Sequence, residues 1–324
     1  MHVSRGIPVQ AEAPVVLTIG NFDGVHLGHQ AMLARLKEAA NRLGLVSCVM
    51  TFEPHPREFF APDQAPTRLT SLREKLELLA ESGVERVQVC RFNFNFAKIS
   101  AEDFIARILQ RGLGVRWILV GDDFRFGARR AGDFAMLQAC SAQHGFEVAE
   151  MPSFTVDGLR VSSTAVREAL VSGDLDLAHR LLGRPYSISG RVVDGDKLGK
   201  KIGFPTANMQ LRHNRPPLSG IFAVEVHGAE GLSSQRVTRG VASLGVRPTV
   251  YKSGKPVLEV HLFDFDQEIY GRHLRMDFLH KLRDEEKYSD LGMLTRQIER
   301  DVENAKNYFL TSHPVQAHCK QSVA

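Results

Sequence analysis

Cysteine is scarce in this chain of 324 residues: four in all, Cys48, Cys90, Cys140 and Cys319, with no pair spaced as Cys-x-x-Cys. That spacing argues against a zinc site or a disulfide framework and fits a reducing compartment. Long apolar runs are missing too. No stretch approaches the ~18 residues of a membrane-spanning helix. The start lacks a cationic segment followed by an apolar core, so the expectation is a cytoplasmic protein with no membrane partner. Nor does one charge dominate. The 41 Lys and Arg stand against 37 Asp and Glu, a net +4, which suits polyanionic ligands but is too mild and too evenly spread to point to nucleic acid.

What is present is ordinary globular material, 43% hydrophobic and 24% charged, long enough for about two domains of roughly 100–200 residues each. The first half alternates apolar runs with helical periodicity. Strands are expected at Val15–Ile19, Leu45–Phe52, Arg86–Cys90, Trp117–Val120 and Phe146–Met151, and helices around Leu33–Leu43, Leu72–Ser82, Ala101–Arg111 and Asp133–His144. Such alternation implies right-handed crossovers and a parallel sheet, with ligands at the carboxyl ends of the strands. After Leu182 the pattern changes to short alternating segments, Tyr186–Val193, Ile221–Val226, Gly240–Leu244, Val257–Phe263 and Leu274–Phe278, which suit an antiparallel barrel or sandwich. Leu291, Leu294, Ile298, Val302, Ala305 and Phe309 then mark an amphipathic helix capped by Ser289 or Asp290. The domains expected are 1–184 and 185–312, with 313–324 a mobile tail.

The first strand runs into Gly20-Asn21-Phe22-Asp23-Gly24-Val25-His26-Leu27-Gly28-His29. Its glycines admit close backbone approach. Its two histidines stand three apart at the start of a helix, beside amides that have no partner, which makes an anion site. Taken alone, a His-x-x-His pair is equally a structural turn or half a metal site. Three further motifs follow strands: Thr51-Phe52-Glu53-Pro54-His55-Pro56, Val120-Gly121-Asp122-Asp123-Phe124-Arg125-Phe126-Gly127, and Val161-Ser162-Ser163-Thr164-Ala165-Val166-Arg167. Ser163 or Thr164 also reads as a simple helix cap. The recurrence of all four motifs after successive strands suggests one shared site.

In the second half, Gly195-Asp196-Lys197-Leu198-Gly199-Lys200-Lys201-Ile202-Gly203-Phe204-Pro205-Thr206-Ala207-Asn208 is rich in glycine and lysine. It fails the P-loop template, having three residues between its glycines and no Ser or Thr after the lysine. A flexible basic hairpin would explain the glycines and lysines. The Thr206 hydroxyl and Asn208 amide oxygen, two apart in extended chain, project to one side as hard ligands for Mg²⁺ would. Along Val257–Phe263, period two puts Leu258, Val260 and Leu262 on one face and Glu259 and His261 on the other. An exposed strand face explains that equally well.

The string GNFDGVHLGH, with LVGDDFRFG and VSSTAVR, resembles the adenylylation motifs of the bacterial bifunctional riboflavin kinase/FMN adenylyltransferase (FAD synthetase) family. GKKIGFPTAN, GVASLGVRPT and LEVHLFDF resemble its kinase module, and the likeness spans roughly 14–310. The resemblance implies an α/β protein: a Rossmann-like nucleotidyltransferase domain on a parallel sheet, then an antiparallel β-barrel riboflavin kinase domain with a C-terminal helix. It implies that riboflavin is phosphorylated to FMN, and FMN adenylylated to FAD with release of pyrophosphate, using ATP and Mg²⁺.

It also assigns residues. His26 and His29 would hold the phosphates during attack on the α-phosphorus. Gly20, Asn21, Phe22, Gly28, Ser162, Ser163, Thr164 and Arg167 would bind ATP, and His55, Asp123 and Phe124 would form the flavin and nucleotide pocket. In the kinase module Thr206 and Asn208 would hold the metal with ATP, Gly199, Lys201, Gly203 and Pro205 would cover the phosphates, and Glu259 would be the general base. The family commonly has Asn and Ile where Ser243 and Leu244 stand, Tyr in place of Phe222, and in some members Asn in place of Asp123. A nucleotidyltransferase acting on a phosphopantetheine-type acceptor would leave Pro205–Asn208 and Glu259 without a role. An RNA-binding barrel would need aromatic and basic residues interleaved on its strands, a pattern absent here.

Overall fold

The computed structural model of the protein describes residues 1–195, 199, 202–211, 215–230, 236–246 and 256–312. Lys201 and the tail expected at 313–324 lie outside the described residues. By contact, the chain divides into one unit of Met1–Arg167 with Arg180–Gly183 and a second of Glu168–His179 with Arg184–Ala324.

In the first unit the apolar runs become a six-stranded sheet. Its strands are β1 (His2–Arg5), β2 (Val15–Ile19), β3 (Val46–Glu53), β4 (Arg86–Arg91), β5 (Val115–Gly121) and β6 (Glu147–Met151), in the order β1-β4-β3-β2-β5-β6. Every pair is parallel. Both faces are covered. Leu17, Met50, Ile118 and Val120 pack on Phe104, Ile105, Ile108 and Leu109, while Val16, Val49, Val87 and Leu119 meet Leu33, Leu36 and Leu79. Alternate residues of each strand therefore serve opposite layers, which is why these strands read as continuous apolar runs. The strand order reverses between β2 and β5, so the crevice of such a sheet opens above their carboxyl ends.

Two differences from expectation have local causes. β1 carries His-Val-Ser-Arg on the sheet edge with little burial, so no apolar pattern marks it. The helix expected at Ala101–Arg111 starts at Ala101–Asp103 and continues over Phe104–Gly112 with the wider π winding. Phe104, Ile105, Ile108 and Leu109 all face the sheet, and a Cβ at Gly112 would press on the Pro8 carbonyl at 2.8 Å.

A small hairpin, β7 (Thr155–Val156) with β8 (Leu159–Arg160), turns through Asp157 and Gly158, both at positive φ. This is the tight hairpin turn that an Asp-Gly pair favours.

The second unit carries β9 (Tyr186–Val193), β10 (Ala207–Gln210), β11 (Gly220–His227), β12 (Thr238–Val246), β13 (Pro256–Leu262) and β14 (His273–Arg283). They close into a barrel in the order β10-β13-β12-β11-β14-β9. Leu258, Val260, Phe222, Val224, Met276 and Phe278 are fully buried, and Phe222 meets Phe278 edge-on at 5.3 Å. Helix Leu291–Ser312 lays Ala305 and Phe309 on Ile221, Ala223 and Val241. Asp290 supplies its cap, accepting from the Met293 amide at 2.8 Å.

Candidate active sites

At the end of β2 the chain makes a cramped loop. Phe22 and Val25 hold positive φ while fully buried, a conformation that β-branched and bulky residues avoid unless their surroundings enforce it. Gly24, at φ +82°, admits Leu69, which would stand 2.7 Å from a Cβ there. The enforcing group is Asp23. Its carboxylate accepts from the Leu69 amide (3.0 Å), the Thr70 amide (3.0 Å) and the Thr70 hydroxyl (3.1 Å), and pairs with Arg167 at 2.6 Å. Arg167 also donates to the Thr67 carbonyl at 2.6 Å, and Ser163 donates to the Asp23 carbonyl at 2.9 Å.

The loop delivers the histidines as a stack. His26 caps helix Leu27–Leu43, its Nδ1 accepting from the His29 amide at 3.3 Å. Its ring lies on that of His29 at 3.7 Å and 14°. Gly28 makes the approach possible, since a Cβ there would come within 3.3 Å of the His26 ring. His29 Nδ1 and Asn21 Oδ1 are both buried and, among the described residues, have no hydrogen-bond partner. Such groups are costly to leave unpaired. Burial first, then the neighbouring charges of His26 and Lys75, hold the His29 pKa well below the usual imidazole value.

Both orphaned side chains line a cleft of about 990 Å³. Gly20, Phe22, His55, Asp123, Phe124 and Ser163 share its wall, so motifs far apart in sequence do meet. His55 caps the short helix Pro56–Phe60, its Nδ1 accepting from the Arg57 amide at 3.1 Å. Its pKa is lowered by burial, against the pull of Asp23 and Glu58. His26, Gly28, Ser162, Thr164 and Arg167 stand outside the wall. Ser162 caps the following helix at the Ala165 amide, Thr164 is exposed, and Arg167 is drawn onto Asp23. Asp123 is largely exposed and lies 3.6 Å from Arg160.

Sequence reasoning missed Asp23, the aromatic walls Phe52, Phe92 and Phe96, and the rim arginines Arg125, Arg129 and Arg130. Asp23 stood in the motif, but its partners lie 46 and 144 residues away. Arg129 and Arg130 both hold positive φ, which no sequence pattern announced.

In the second unit, strand register builds a row. Asn208 on β10 lies opposite Glu259 on β13, and Glu259 opposite Ser243 on β12. Glu259, Ser243, His261, Thr206 and Gly199 line a pocket of about 220 Å³ with Arg283, Tyr288 and Asp301. Asn208, Gly203 and Pro205 are not on its wall, though the Pro205 carbonyl lies 2.9 Å from His261 Nδ1. A Cβ at Gly195 would fall on the Asn208 amide, and one at Gly199 would stand 3.2 Å from Thr206 Oγ1, so glycine backbone packs against both oxygen-bearing side chains. Arg283 binds Asp301 at 2.6 Å and ties the C-terminal helix to β14. Arg283 and Asp301 are among the pocket residues missed from sequence, because a charge pair joining a strand to a helix 18 residues on leaves no periodic signal.

A family model described as FAD synthetase matches residues 9–165, and one described as riboflavin kinase matches 182–309. The chain is 48% identical over 317 residues to the bifunctional riboflavin kinase/FMN adenylyltransferase of Escherichia coli (strain K12), covering 97% of this chain and 100% of that relative. It is 49% identical over 293 residues to the protein of the same description from Haemophilus influenzae, covering 90% and 94%. A solved structure described as a macrolide-efflux protein from Streptococcus pneumoniae is 28% identical, with a TM-score of 0.80 over 95% of this chain and 99% of the other. Among the described residues no helix is long and apolar enough to cross a membrane.

Proposed function

The chain belongs to the bifunctional riboflavin kinase/FMN adenylyltransferase family, and from that premise we propose how its residues divide the two reactions. Riboflavin and ATP give FMN and ADP; FMN and a second ATP give FAD and pyrophosphate. The observation that carries the adenylyl-transfer assignment is the stacked His26–His29 pair at a helix start, with two orphaned buried groups facing one cleft.

In this reading the triphosphate lies over Gly20, Asn21, Phe22 and Gly28 beside the start of helix Leu27–Leu43. His29 donates to phosphate oxygen, and His26 orients it. As the FMN phosphate attacks the α-phosphorus, charge moves toward the departing pyrophosphate, and the histidines with Ser162, Ser163, Thr164 and Arg167 stabilise it. Positioning and fixed charge suffice, with no covalent intermediate. His55, Asp123 and Phe124 bound the nucleotide and flavin.

In the barrel, Glu259 takes the proton from the ribityl hydroxyl as that oxygen attacks the γ-phosphorus of ATP. The donors fit Mg²⁺ carried in with the nucleotide: a hydroxyl at Thr206 and an amide oxygen at Asn208, beside the Glu259 carboxylate. When bound, the metal neutralises phosphate charge. Gly199, Lys201, Gly203 and Pro205 form the phosphate cover. Residues 1–184 and 185–312 act as the two modules, the substrates are small molecules rather than nucleic acid or membrane, and the protein works in the cytoplasm.

The test is product analysis. Riboflavin, ATP and Mg²⁺ incubated with the purified chain should yield FMN and then FAD on chromatography, and chelation should stop both. Adenylylation of a phosphopantetheine-type acceptor with no flavin product would contradict the assignment.

A further inference from the structure

The cleft of the first unit carries more positive charge than a triphosphate held at His26 and His29 uses. Arg57, Arg125, Arg129 and Arg130 line it, against one carboxylate among the described residues of its wall, Asp123, which Arg160 meets at 3.6 Å. A cleft lined by one sign of charge gathers oppositely charged substrates. Arg125 is turned back on its own chain, donating to the Phe124 carbonyl at 3.0 Å. Arg129 and Arg130 are exposed at the cleft, and no carboxylate among the described residues pairs with either.

Their loop is built to hold them there. Phe126 and Gly132 exchange backbone hydrogen bonds of 3.0 and 2.9 Å that close its base. The Ala128 amide donates to the Ile99 carbonyl at 2.7 Å. Gly127 sits so close to Ala101 that a Cβ would stand 2.7 Å from the Ala101 nitrogen. Within this closed loop Arg129 and Arg130 hold φ of +55° and +60°. Two successive long side chains in that region are uncommon, and such strain persists where surrounding contacts enforce it, often at ligand clamps.

The loop reaches the crevice from the face opposite the histidines. Helix Leu27–Leu43 packs Leu33 and Leu36 on one face of the sheet. Ala101, Phe104 and Phe126, to which the arginine loop is fastened, pack on the other. Phe124 lies against Phe126 there, the rings 5.6 Å apart and 20° from parallel, and both line the cleft. A flat apolar surface thus stands beside two cations. In adenylyl transfer an oxygen of the acceptor phosphate bonds to the α-phosphorus as the bond to the pyrophosphate oxygen breaks. Pyrophosphate leaves with the electron pair. Attacking and leaving oxygens stand roughly in line across the phosphorus. With pyrophosphate departing on the histidine side, the acceptor's phosphate enters from the other, and its charge needs cations there.

We propose that Arg129 and Arg130 are the acceptor-phosphate subsite of this cleft: they bind the phosphate monoester of a planar, ring-bearing acceptor and hold it in line with the departing pyrophosphate. In the adenylyl-transfer reading above, on which the proposal rests, that acceptor is FMN lying against Phe124. Guanidinium forks match phosphate oxygens two at a time.

The experiment measures FAD formation by the full chain from supplied FMN and ATP, and the reverse reaction from FAD and pyrophosphate. The double variants are Arg129→Gly with Arg130→Gly, Arg129→Asn with Arg130→Asn, and Arg129→Lys with Arg130→Lys. Glycine relieves the positive φ and asparagine tolerates it, so both pairs remove charge without adding strain. Either should raise KM for FMN about tenfold or more, the scale of a lost hydrogen bond to a charged group, and leave KM for ATP and for pyrophosphate within about twofold of the parent. The lysine pair should keep much of the FMN affinity. Added salt should raise KM for FMN in the parent, and less so in the glycine pair, because exposed charges are screened.

A folded glycine or asparagine pair with the parent's KM for FMN overturns the proposal, and so does a parent whose KM for FMN ignores added salt. A rise confined to ATP and pyrophosphate also overturns it, placing the arginines at the triphosphate. An equal rise for all three substrates overturns it too, leaving the loop structural only. A parent chain that makes no FAD from FMN would instead remove the adenylyl-transfer reading itself, and the subsite with it.

Discussion

Asp23 accepts four hydrogen bonds from two segments distant in sequence, and so one buried carboxylate fixes the loop on which His26 and His29 stand. The histidines were legible from sequence because their spacing and glycines are local. Asp23 was not, because its meaning lies in partners supplied by other elements. The same cramped environment makes a stability prediction. His29 and His55 have lowered pKa values in the fold, whereas in the unfolded chain they return to the ordinary value of 6.5. Below that pH the unfolded state binds more protons, so stability falls as pH falls. The melting temperature of the first unit should drop between about pH 7.5 and 5.5, before carboxylates titrate. The drop should be smaller in a His29→Gln, His55→Gln double variant. An equal drop in parent and variant would place the acid sensitivity elsewhere.

Strands and helices of the first unit were readable wherever both faces of the sheet are buried, since each such strand is a continuous apolar run between turns. β10 was harder to read. It spans Ala207–Gln210, too short for a period-two pattern, and only its extended Thr206-Ala207-Asn208 start hinted at it. The row Asn208–Glu259–Ser243 is a product of register, which sequence does not print. Helix Leu291–Ser312 was legible from its stripe, but the bond that seats it was not. Arg283 and Asp301 are mostly buried, at 19% and 5% side-chain exposure. Removing one partner of such a pair costs about 3–5 kcal/mol where burial is complete, so Asp301→Asn should destabilise the barrel by somewhat less. Because both residues line the pocket, it should also raise KM for riboflavin while FMN adenylylation stays at the parent rate. Unchanged kinase kinetics in a destabilised variant would make the pair structural only.

At the scale of the whole molecule, the change of pattern after Leu182 separates a parallel sheet from a closed barrel, and two family models match either side of it. The residues 168–179 group with the barrel, so a fragment beginning at Glu168 should melt higher than one beginning at Tyr186. Both should phosphorylate riboflavin without making FAD. A Tyr186 fragment that folds but lacks kinase activity would show that the barrel does not act alone.

The central claim is that one chain holds two chemically independent sites, and one measurement addresses it directly: chromatographic product analysis of His29→Ala and Glu259→Gln, each supplied with riboflavin or with FMN. His29→Ala should convert riboflavin to FMN and stop there, its adenylylation down by about 10²–10³, as when one transition-state donor is removed. Glu259→Gln should leave riboflavin untouched, a loss of about 10²–10⁴ for a missing general base, yet turn supplied FMN into FAD at the parent rate. Loss of both products from either folded variant, or normal turnover by both, would contradict the account.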